Sequence, residues 1–139
     1  MTKEPRVFTT PELPVFDRGT GVQTRLFCSG ERCGAEVTTG TTSLPVGRSV
    51  ALHSHNCDEQ IIILQGQAEA EFEGRRHPIG PMEAAFIPEG MVHCFHNVGD
   101  VPVVMFFIYD APEVTRTFAA TGETVTHLSE RDLAQPKAG

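Results

Sequence analysis

The 139-residue sequence has no tryptophan, a single tyrosine and few basic residues. Its 11 Lys and Arg stand against 18 Asp and Glu, so the net charge at pH 7 is −7, and no basic cluster is longer than Arg75-Arg76. Nucleic acids and anionic membranes bind basic patches, and neither is therefore an expected partner. With Tyr109 as the only tyrosine, an aromatic cage around a ligand is also disfavoured.

Long apolar segments are absent as well. The longest apolar run, Val103 to Tyr109, is far shorter than the ~20 residues of a membrane-spanning helix. The stretch from Met1 to Pro14 does not resemble a secretory signal peptide. We therefore expect a cytoplasmic protein without membrane association. Its four cysteines include no CxxC pair, which predicts free thiols.

Two common catalytic motifs are missing. No Gly-x-Ser-x-Gly elbow occurs, and no glycine-rich phosphate loop follows a strand. Serine hydrolysis and nucleotide-dependent group transfer are therefore disfavoured.

What is present predicts one all-β domain. The length fits a single domain that buries enough surface to fold without a metal, so a bound metal would serve chemistry. Thirteen Gly, ten Pro and many Thr and Val favour strands and turns, and their spacing indicates a sandwich or barrel. The predicted strands are 22–28, 35–44, 49–55, 60–64, 68–72, 75–79, 84–87, 93–97 and 101–109.

The chain divides into three predicted parts. Residues 1–20 are rich in proline and predict an N-terminal arm or edge segment without regular structure. Residues 21–112 form the predicted barrel, and residues 113–139 a C-terminal extension. Within that extension Ser129, followed by Asp132 and Leu133, predicts the start of a short helix.

Hydrophobic patterns distinguish two kinds of strand. The alternation over residues 68–72, ending at Glu73-Gly74 before Arg75, predicts a hairpin with one wet face. The continuous apolar runs 61–64 and 103–108 predict strands that are buried on both faces.

Four side chains suggest a metal site. His53 and His55 lie two residues apart in a predicted strand, so both imidazoles point to the same face. Glu59 follows after a short turn, and the turn at Pro88-Glu89-Gly90 delivers His93 at the start of another strand. Three imidazoles and one carboxylate suit a first-row transition metal. The alternative is that these histidines are ordinary packed side chains.

The pattern around these residues resembles the two sequence motifs of the cupin superfamily. The first motif is matched by Gly47, His53, His55, Glu59 and Gly66, with intervals of five, one, three and six residues. The second is matched by Pro88, Gly90, His93 and Asn97. One position departs from the second motif, because Met82 stands where the family has a leading glycine. The resemblance covers roughly residues 22–110 and indicates a small, single-domain cupin.

The resemblance implies a conical β-barrel of jelly-roll type, with a metal held inside by His53, His55, Glu59 and His93, and a homodimer. Neutral imidazoles and one carboxylate leave an M²⁺ centre near +1, so a small anionic substrate is expected. Four protein ligands leave two openings on a six-coordinate ion. Fe, Mn, Ni or Co therefore fits an active enzyme better than Zn or Cu.

In cupin dioxygenases with this ligand set the glutamate binds the metal and also accepts a substrate proton, which implies a catalytic role for Glu59; a plain ligand is the alternative. We therefore expect a dioxygenase acting on a small oxygen-rich anion. A redox-neutral isomerase, decarboxylase, dehydratase or cyclase is the first alternative. A non-catalytic small-ligand-binding cupin is the second.

The remaining candidates are predicted from strand parity. His96 and Cys94 point away from the metal face, and Asn97 supports the ligand turn. Cys57 is either a reactive thiol near the site or a small buried side chain. Arg48 is out of phase with His53, whereas Arg25 is a candidate for binding a substrate carboxylate. Six residues form the core or an apolar wall of the site: Phe86, Phe95, Ile61, Ile63, Met91 and Phe106.

Overall fold

The computed structural model describes residues 3–134, which form two antiparallel six-stranded sheets around a principal core. The first sheet has the order β1-β2-β3-β10-β5-β8 and the second β12-β11-β4-β9-β6-β7. The strands are β1 (Val15–Asp17), β2 (Gln23–Cys28), β3 (Thr38–Leu44), β4 (His53–His55), β5 (Glu59–Gln65), β6 (Ala68–Phe72), β7 (Arg75–Ile79), β8 (Ala84–Ile87), β9 (His93–Asn97), β10 (Val103–Tyr109), β11 (Thr115–Phe118) and β12 (Thr124–Thr126). The all-β prediction is confirmed.

Helices are short. Helix α1 (Gly30–Cys33) and helix α2 (Glu130–Leu133) have one turn each, and Thr10–Glu12 form a 3-10 turn. The predicted cap of α2 is confirmed, because the Ser129 hydroxyl accepts a hydrogen bond from the Asp132 N–H. Helix α1 was not predicted, since one turn leaves no periodicity to detect. None of the described helices could cross a bilayer.

The interior is filled from both sheets. Ile61 and Ile63 on β5 and Phe107 on β10 are almost fully buried, and they pack in one cluster with Ala70 and Phe95 from the opposite sheet. Gly40 on β3 permits this packing, because a Cβ there would lie 2.2 Å from the Arg25 carbonyl oxygen and 2.6 Å from the Phe107 ring. Close packing of this kind tolerates no added methyl group without movement of the backbone.

The two apolar runs are buried on one face only, contrary to the prediction. Along β5, Ile61 and Ile63 are buried, whereas Leu64 is 49% exposed. Along β10, buried residues alternate with half-buried ones such as Phe106. Both strands belong to an antiparallel sheet, whose outer face is not covered by a crossover helix as in a parallel sheet.

Both ends of the chain add strands that were not predicted. The N-terminal segment was expected to lack regular structure, but β1 pairs with β2 at the edge of the first sheet. Beyond residue 112, where the predicted barrel ends, β11 pairs with β4 and β12 with β11. These strands are three or four residues long, too short for an alternation to stand out in sequence. The second sheet therefore continues into the C-terminal extension.

All four cysteines are free, as expected. The hairpin predicted over residues 68–79 is confirmed as β6 and β7, with Ala68 paired to Ile79 and Phe72 to Arg75. Met82, which stands at the glycine position of the second motif, has φ of +63°. The turn thus keeps the left-handed backbone that glycine adopts easily, at a cost of about 1–2 kcal/mol for a residue with a side chain.

Candidate metal centre

His53, His55, Glu59 and His93 meet between the two sheets. His53 and His55 come from β4 and His93 from β9 of the second sheet, while Glu59 comes from β5 of the first. Each residue is at most 5% exposed, and one donor atom from each lies within 4.8 Å of the others. The predicted convergence of these four side chains is thus found, and metal binding itself stays a prediction.

Local sequence explains this convergence. The two-residue period of β4 turns both imidazoles inward, and His53 pairs directly with His93 across the strands. The predicted turn before β9 is present: the Met91 N–H donates to the Pro88 carbonyl, and Gly90 has φ of +80°. The Gly90 N–H also donates to the His55 carbonyl, which ties the turn to the ligand strand.

Backbone carbonyls hold the outer nitrogen of each imidazole. Nδ1 of His53 donates to the Ala51 carbonyl at 2.6 Å, Nδ1 of His55 to the Thr115 carbonyl at 2.9 Å, and Nδ1 of His93 to the Met91 carbonyl at 2.9 Å. A hydrogen bond of this type fixes the tautomer and the orientation of a metal-binding histidine. It leaves Nε2 of each ring as the nitrogen available at the centre.

The inner atoms have the spacing of metal ligands. Nε2 of His93 lies 2.9 Å and Nε2 of His55 lies 3.5 Å from the same Glu59 oxygen. Neighbouring ligands of an octahedral ion with bonds of about 2.1 Å are about 3.0 Å apart, and those of a tetrahedral ion about 3.4 Å. Nε2 of His55 is fully buried without a hydrogen-bond partner in the described chain. A buried nitrogen with a free lone pair is costly unless it binds something, so the residues fit a metal ion.

Burial and charge set the protonation states that a metal requires. Burial lowers the pKa of His55 to about 3, although the neighbouring Glu59 opposes this shift. Burial, reinforced by Arg116 and the other imidazoles, also lowers the pKa of His53 well below its usual value. Burial would raise the pKa of Glu59, but His55, His93 and Arg116 together lower it by a larger amount, so the net shift is downward. Neutral His53 and His55 and an ionised carboxylate are the forms that bind metals.

Two buried arginines border the centre. The four candidate ligands lie beside a cavity of about 20 Å³, which is lined by His53, Glu59 and His93 and also by Arg18 and Arg116. Burial lowers the pKa of Arg18 to about 10, so its guanidinium stays charged at neutral pH. Asp132, fully buried, lies 3.0 Å from Arg18 and 3.6 Å from Arg116.

These charged residues were not predicted. Arg25, the sequence candidate for an anion contact, is not among the residues that line the cavity and lies on the opposite face of β2 from buried Thr24. Arg116 reaches the site because β11 pairs with β4, placing it opposite His55. The only sequence signal at Asp132 was its position in the α2 cap, which gives no hint of burial.

The remaining candidate side chains lie partly at the centre and partly elsewhere. His96 and Cys94 point away from the centre, as parity predicted, and Cys57 belongs to the buried core. Asn97 donates to the Leu44 and Val101 carbonyls, so it supports the β9–β10 connection and not the ligand turn. Of the six proposed wall residues, Ile61 and Phe95 line the cavity. Ile63, Met91 and Phe106 do not, and Phe86 is 58% exposed.

Comparison with known proteins identifies relatives of this chain. The sequence model of the Cupin domain family matches residues 40–109. The chain is 30% identical over 112 residues to a protein named polyketide synthase CurC from Streptomyces cyaneus, covering 74% of this chain and 68% of that protein. It is 27% identical over 93 residues to 5-nitrosalicylic acid 1,2-dioxygenase from Bradyrhizobium, covering 67% of this chain but only 40% of the dioxygenase.

Solved structures share the fold. A predicted oxalate decarboxylase from Thermotoga maritima superposes with a TM-score of 0.64 at 23% identity, over 75% of this chain and 97% of that one. A cupin 2 conserved barrel protein from Salinispora arenicola gives a TM-score of 0.61 at 21% identity, over 78% and 89% of the two chains. At these identities the likeness concerns the fold alone, which is the expected jelly-roll barrel.

Proposed function

The chain belongs to the cupin family, and from this premise we propose that it is a metal-dependent enzyme acting on a small oxygen-rich organic anion. The observation that carries the proposal is the arrangement at the centre. Three imidazoles with carbonyl-bound Nδ1 atoms surround one buried carboxylate, and Nε2 of His55 and of His93 approaches its oxygen. His53, His55, Glu59 and His93 are the proposed ligands. Four ligands leave two positions on a six-coordinate ion, which favours Fe, Mn, Ni or Co over Zn or Cu.

The charges around the centre favour an anion. One ionised carboxylate beside neutral imidazoles leaves an M²⁺ site near +1, and the guanidinium groups of Arg18 and Arg116 line the same cavity. Nε of Arg18 is buried and has no hydrogen-bond partner within residues 3–134. The cavity has room for about one water molecule, so a substrate enters only when lining side chains move.

The metal would supply a Lewis-acidic centre with two positions for substrate oxygens or O₂. Glu59 is ionised at neutral pH and is the group in the cluster that can accept a proton from a substrate hydroxyl. The carbonyls of Ala51, Thr115 and Met91 keep the imidazoles from rotating while that proton moves. Burial of all four side chains excludes bulk water, which strengthens their electrostatic interactions.

Within this class we propose a dioxygenase. Of the two open positions beside the proton-accepting carboxylate, one would take a substrate oxygen and the other O₂. The similarity to 5-nitrosalicylic acid 1,2-dioxygenase supports this choice, because a salicylate offers two oxygens, a carboxylate and a phenolate, either of which could bind the metal beside O₂. The chain spans less than half of that enzyme, so the activity of the whole dioxygenase is part of the proposal.

A redox-neutral reaction on an enolisable compound is the second candidate. It is favoured by the similarity to polyketide synthase CurC, because polyketide chains carry 1,3-dicarbonyl groups whose enolates also offer two oxygens. In this alternative Glu59 would move a proton during isomerisation, dehydration or cyclisation, and O₂ would not take part.

Oxygen dependence separates the two candidates. We expect the iron-loaded protein to consume O₂ in step with the loss of a hydroxybenzoate such as salicylate or one of its ring-substituted forms, and to stop turning over under anaerobic conditions. Oxygen-electrode traces and product analysis make this measurement. Undiminished turnover without O₂ would exclude the dioxygenase and leave the redox-neutral enzyme. A folded protein that binds such anions and turns over none of them would be the non-catalytic cupin.

The matched control for this assay is Glu59→Gln, loaded to the same metal content. Because the amide cannot accept the proton, we expect kcat to fall about 10²-fold or more. Unchanged kcat would mean that Glu59 only binds the metal and does not accept the substrate proton.

We also propose a homodimer. The outer face of the first sheet carries exposed Leu64 and Phe86 beside half-buried Ile62, Phe106 and Ile108. An apolar surface of this kind is typical of an interface, and a second copy of the chain is the proposed occupant. Sedimentation velocity at micromolar concentration is expected to give a dimer that Phe86→Glu dissociates. A monomeric wild-type protein would contradict this proposal.

A further inference from the structure

A second group of metal-ligating side chains lies on the outer face of the second sheet. Glu71 on β6 and Cys94 and His96 on β9 bring one donor atom each to within 4.8 Å of one another. The sheet register explains the grouping, because Glu71 is directly paired with Cys94, and His96 follows two residues later on the same face. This outer cluster is separated from the inner centre by the sheet itself, since His93 points inward.

The distances between donor atoms are those of a metal site. Nε2 of His96 lies 2.8 Å from the Glu71 carboxylate and 3.3 Å from the Cys94 sulfur, and the sulfur lies 3.8 Å from the same carboxylate oxygen. A tetrahedral zinc ion with Zn–S of about 2.3 Å and Zn–N or Zn–O of about 2.0–2.1 Å places its ligands about 3.4–3.6 Å apart. Shifts of a few tenths of an ångström would therefore accommodate the ion.

The surroundings hold the imidazole in place. Nδ1 of His96 is hydrogen-bonded to the Ser49 hydroxyl at 2.6 Å, which directs Nε2 toward Cys94 and Glu71. This is the supporting contact that metal-binding histidines commonly have on their second nitrogen. Cys94 is only 1% exposed, so its position is fixed by packing as well.

We propose that Glu71, Cys94 and His96 form a second metal site, which binds Zn²⁺. A thiolate, an imidazole and a carboxylate are all zinc ligands, and the thiolate disfavours Mg²⁺ and Ca²⁺. Three protein ligands leave a fourth position for water or a small anion. All three residues line a groove of about 960 Å³, so this position is reached from solvent and not from the inner cavity.

Arg76 is the competing cation at this cluster. Its Nε lies 3.7 Å from the Glu71 oxygen, and its Nη1 lies 3.1 Å from Glu69. The Arg76 side chain is half exposed, so it can move away without losing a buried contact. The two negative charges of Glu69 and Glu71 exceed the single positive charge of Arg76. Zinc binding therefore replaces a weak, solvent-screened ion pair.

Cobalt distinguishes the two sites because only the outer cluster contains sulfur. Metal-free protein titrated with Co²⁺ is expected to bind two equivalents and to develop one thiolate-to-cobalt charge-transfer band in the near ultraviolet. Zn²⁺ is expected to abolish that band, since it binds such ligands more tightly than Co²⁺. Cys94→Ser should lose the band and one equivalent of metal. Glu71→Gln should keep the band and bind at least about tenfold more weakly.

Two controls make the result specific. Cys28→Ser, which disrupts the Cys28 and Cys33 thiol pair with its 2.8 Å separation, should leave the band unchanged. His55→Ala, which removes a proposed ligand of the inner centre, should also leave it unchanged, so failure of the inner site and failure of the outer site are read separately. Cys94→Ala serves as a second variant if Cys94→Ser does not fold. Wild-type protein without the band, or a Cys94 variant that keeps it, would overturn the proposal.

Discussion

Replacing His55 by alanine is expected to remove the metal from the inner centre while the barrel stays folded. Nε2 of His55 has no hydrogen-bond partner in residues 3–134, and its Nδ1 is fixed by the Thr115 carbonyl, so the ring is positioned for the centre alone. Losing a contact that only supports a ligand weakens metal binding about 10–100-fold, and losing the ligand should weaken it by at least the upper figure. Turnover should fall with the metal content.

The core explains why the fold should survive this change. The principal hydrophobic cluster consists of apolar side chains such as Ile63, Phe95 and Phe107, and the His55 ring packs at its border against Tyr109. The far-ultraviolet circular dichroism spectrum of His55→Ala should therefore match that of the wild-type protein. Metal is best counted by mass spectrometry in a Cys94→Ser background, so that the outer cluster adds nothing to the result.

His127→Ala is the matched control for His55→Ala. The His127 ring lies 6.4 Å from the His55 ring between centroids, packs on Tyr109, and is not part of the four-residue donor set. This variant should keep the inner metal. Stoichiometric metal retained in His55→Ala, or lost equally in His127→Ala, would refute the assignment of His55 as a ligand.

The inner centre could be predicted because its geometry is mostly local. The two-residue period of a strand places His53 and His55 on one face, and a proline-glycine turn delivers His93 to the neighbouring strand. Glu59 follows after a turn of three residues, which returns the chain to the opposite sheet. Each of these steps spans fewer than ten residues, whereas the pairing of His53 with His93 joins distant strands and was expected from the resemblance to the cupin motifs.

The charged cluster behind the centre could not be predicted for the opposite reason. Arg18 follows β1, Arg116 lies on β11 and Asp132 on α2, so their contact depends on how the two ends of the chain pack. In sequence, all three residues are typical of a solvated surface. The sequence also did not predict that β5 is buried on one face only. An apolar run does not reveal which of its two faces the rest of the chain covers.

Asp132→Asn is expected to lower the free energy of unfolding by about 3–5 kcal/mol, because it leaves buried cationic charge without its anion. The Asp132 carboxylate is fully buried and lies 3.0 Å from Arg18, and its other oxygen accepts the Leu128 N–H at 2.7 Å. Leu128 has φ of +64°, so this bond also holds a strained backbone. Urea unfolding measures the loss. A typical domain has only about 5–15 kcal/mol to lose.

The control is Glu123→Gln, which breaks an exposed ion pair with Arg131 and should cost no more than about 1 kcal/mol.

The pH dependence gives a second, independent readout. Burial would raise the pKa of Asp132, but Arg116 and Arg18 lower it by a larger amount, so its folded pKa lies below the unfolded value. Its contribution to stability is therefore complete above the unfolded pKa of about 4 and disappears as pH falls through the folded pKa. The gap between wild type and Asp132→Asn should be widest near neutrality and shrink in acid, whereas a gap independent of pH would mean that lost packing, and not lost charge, destabilises the variant.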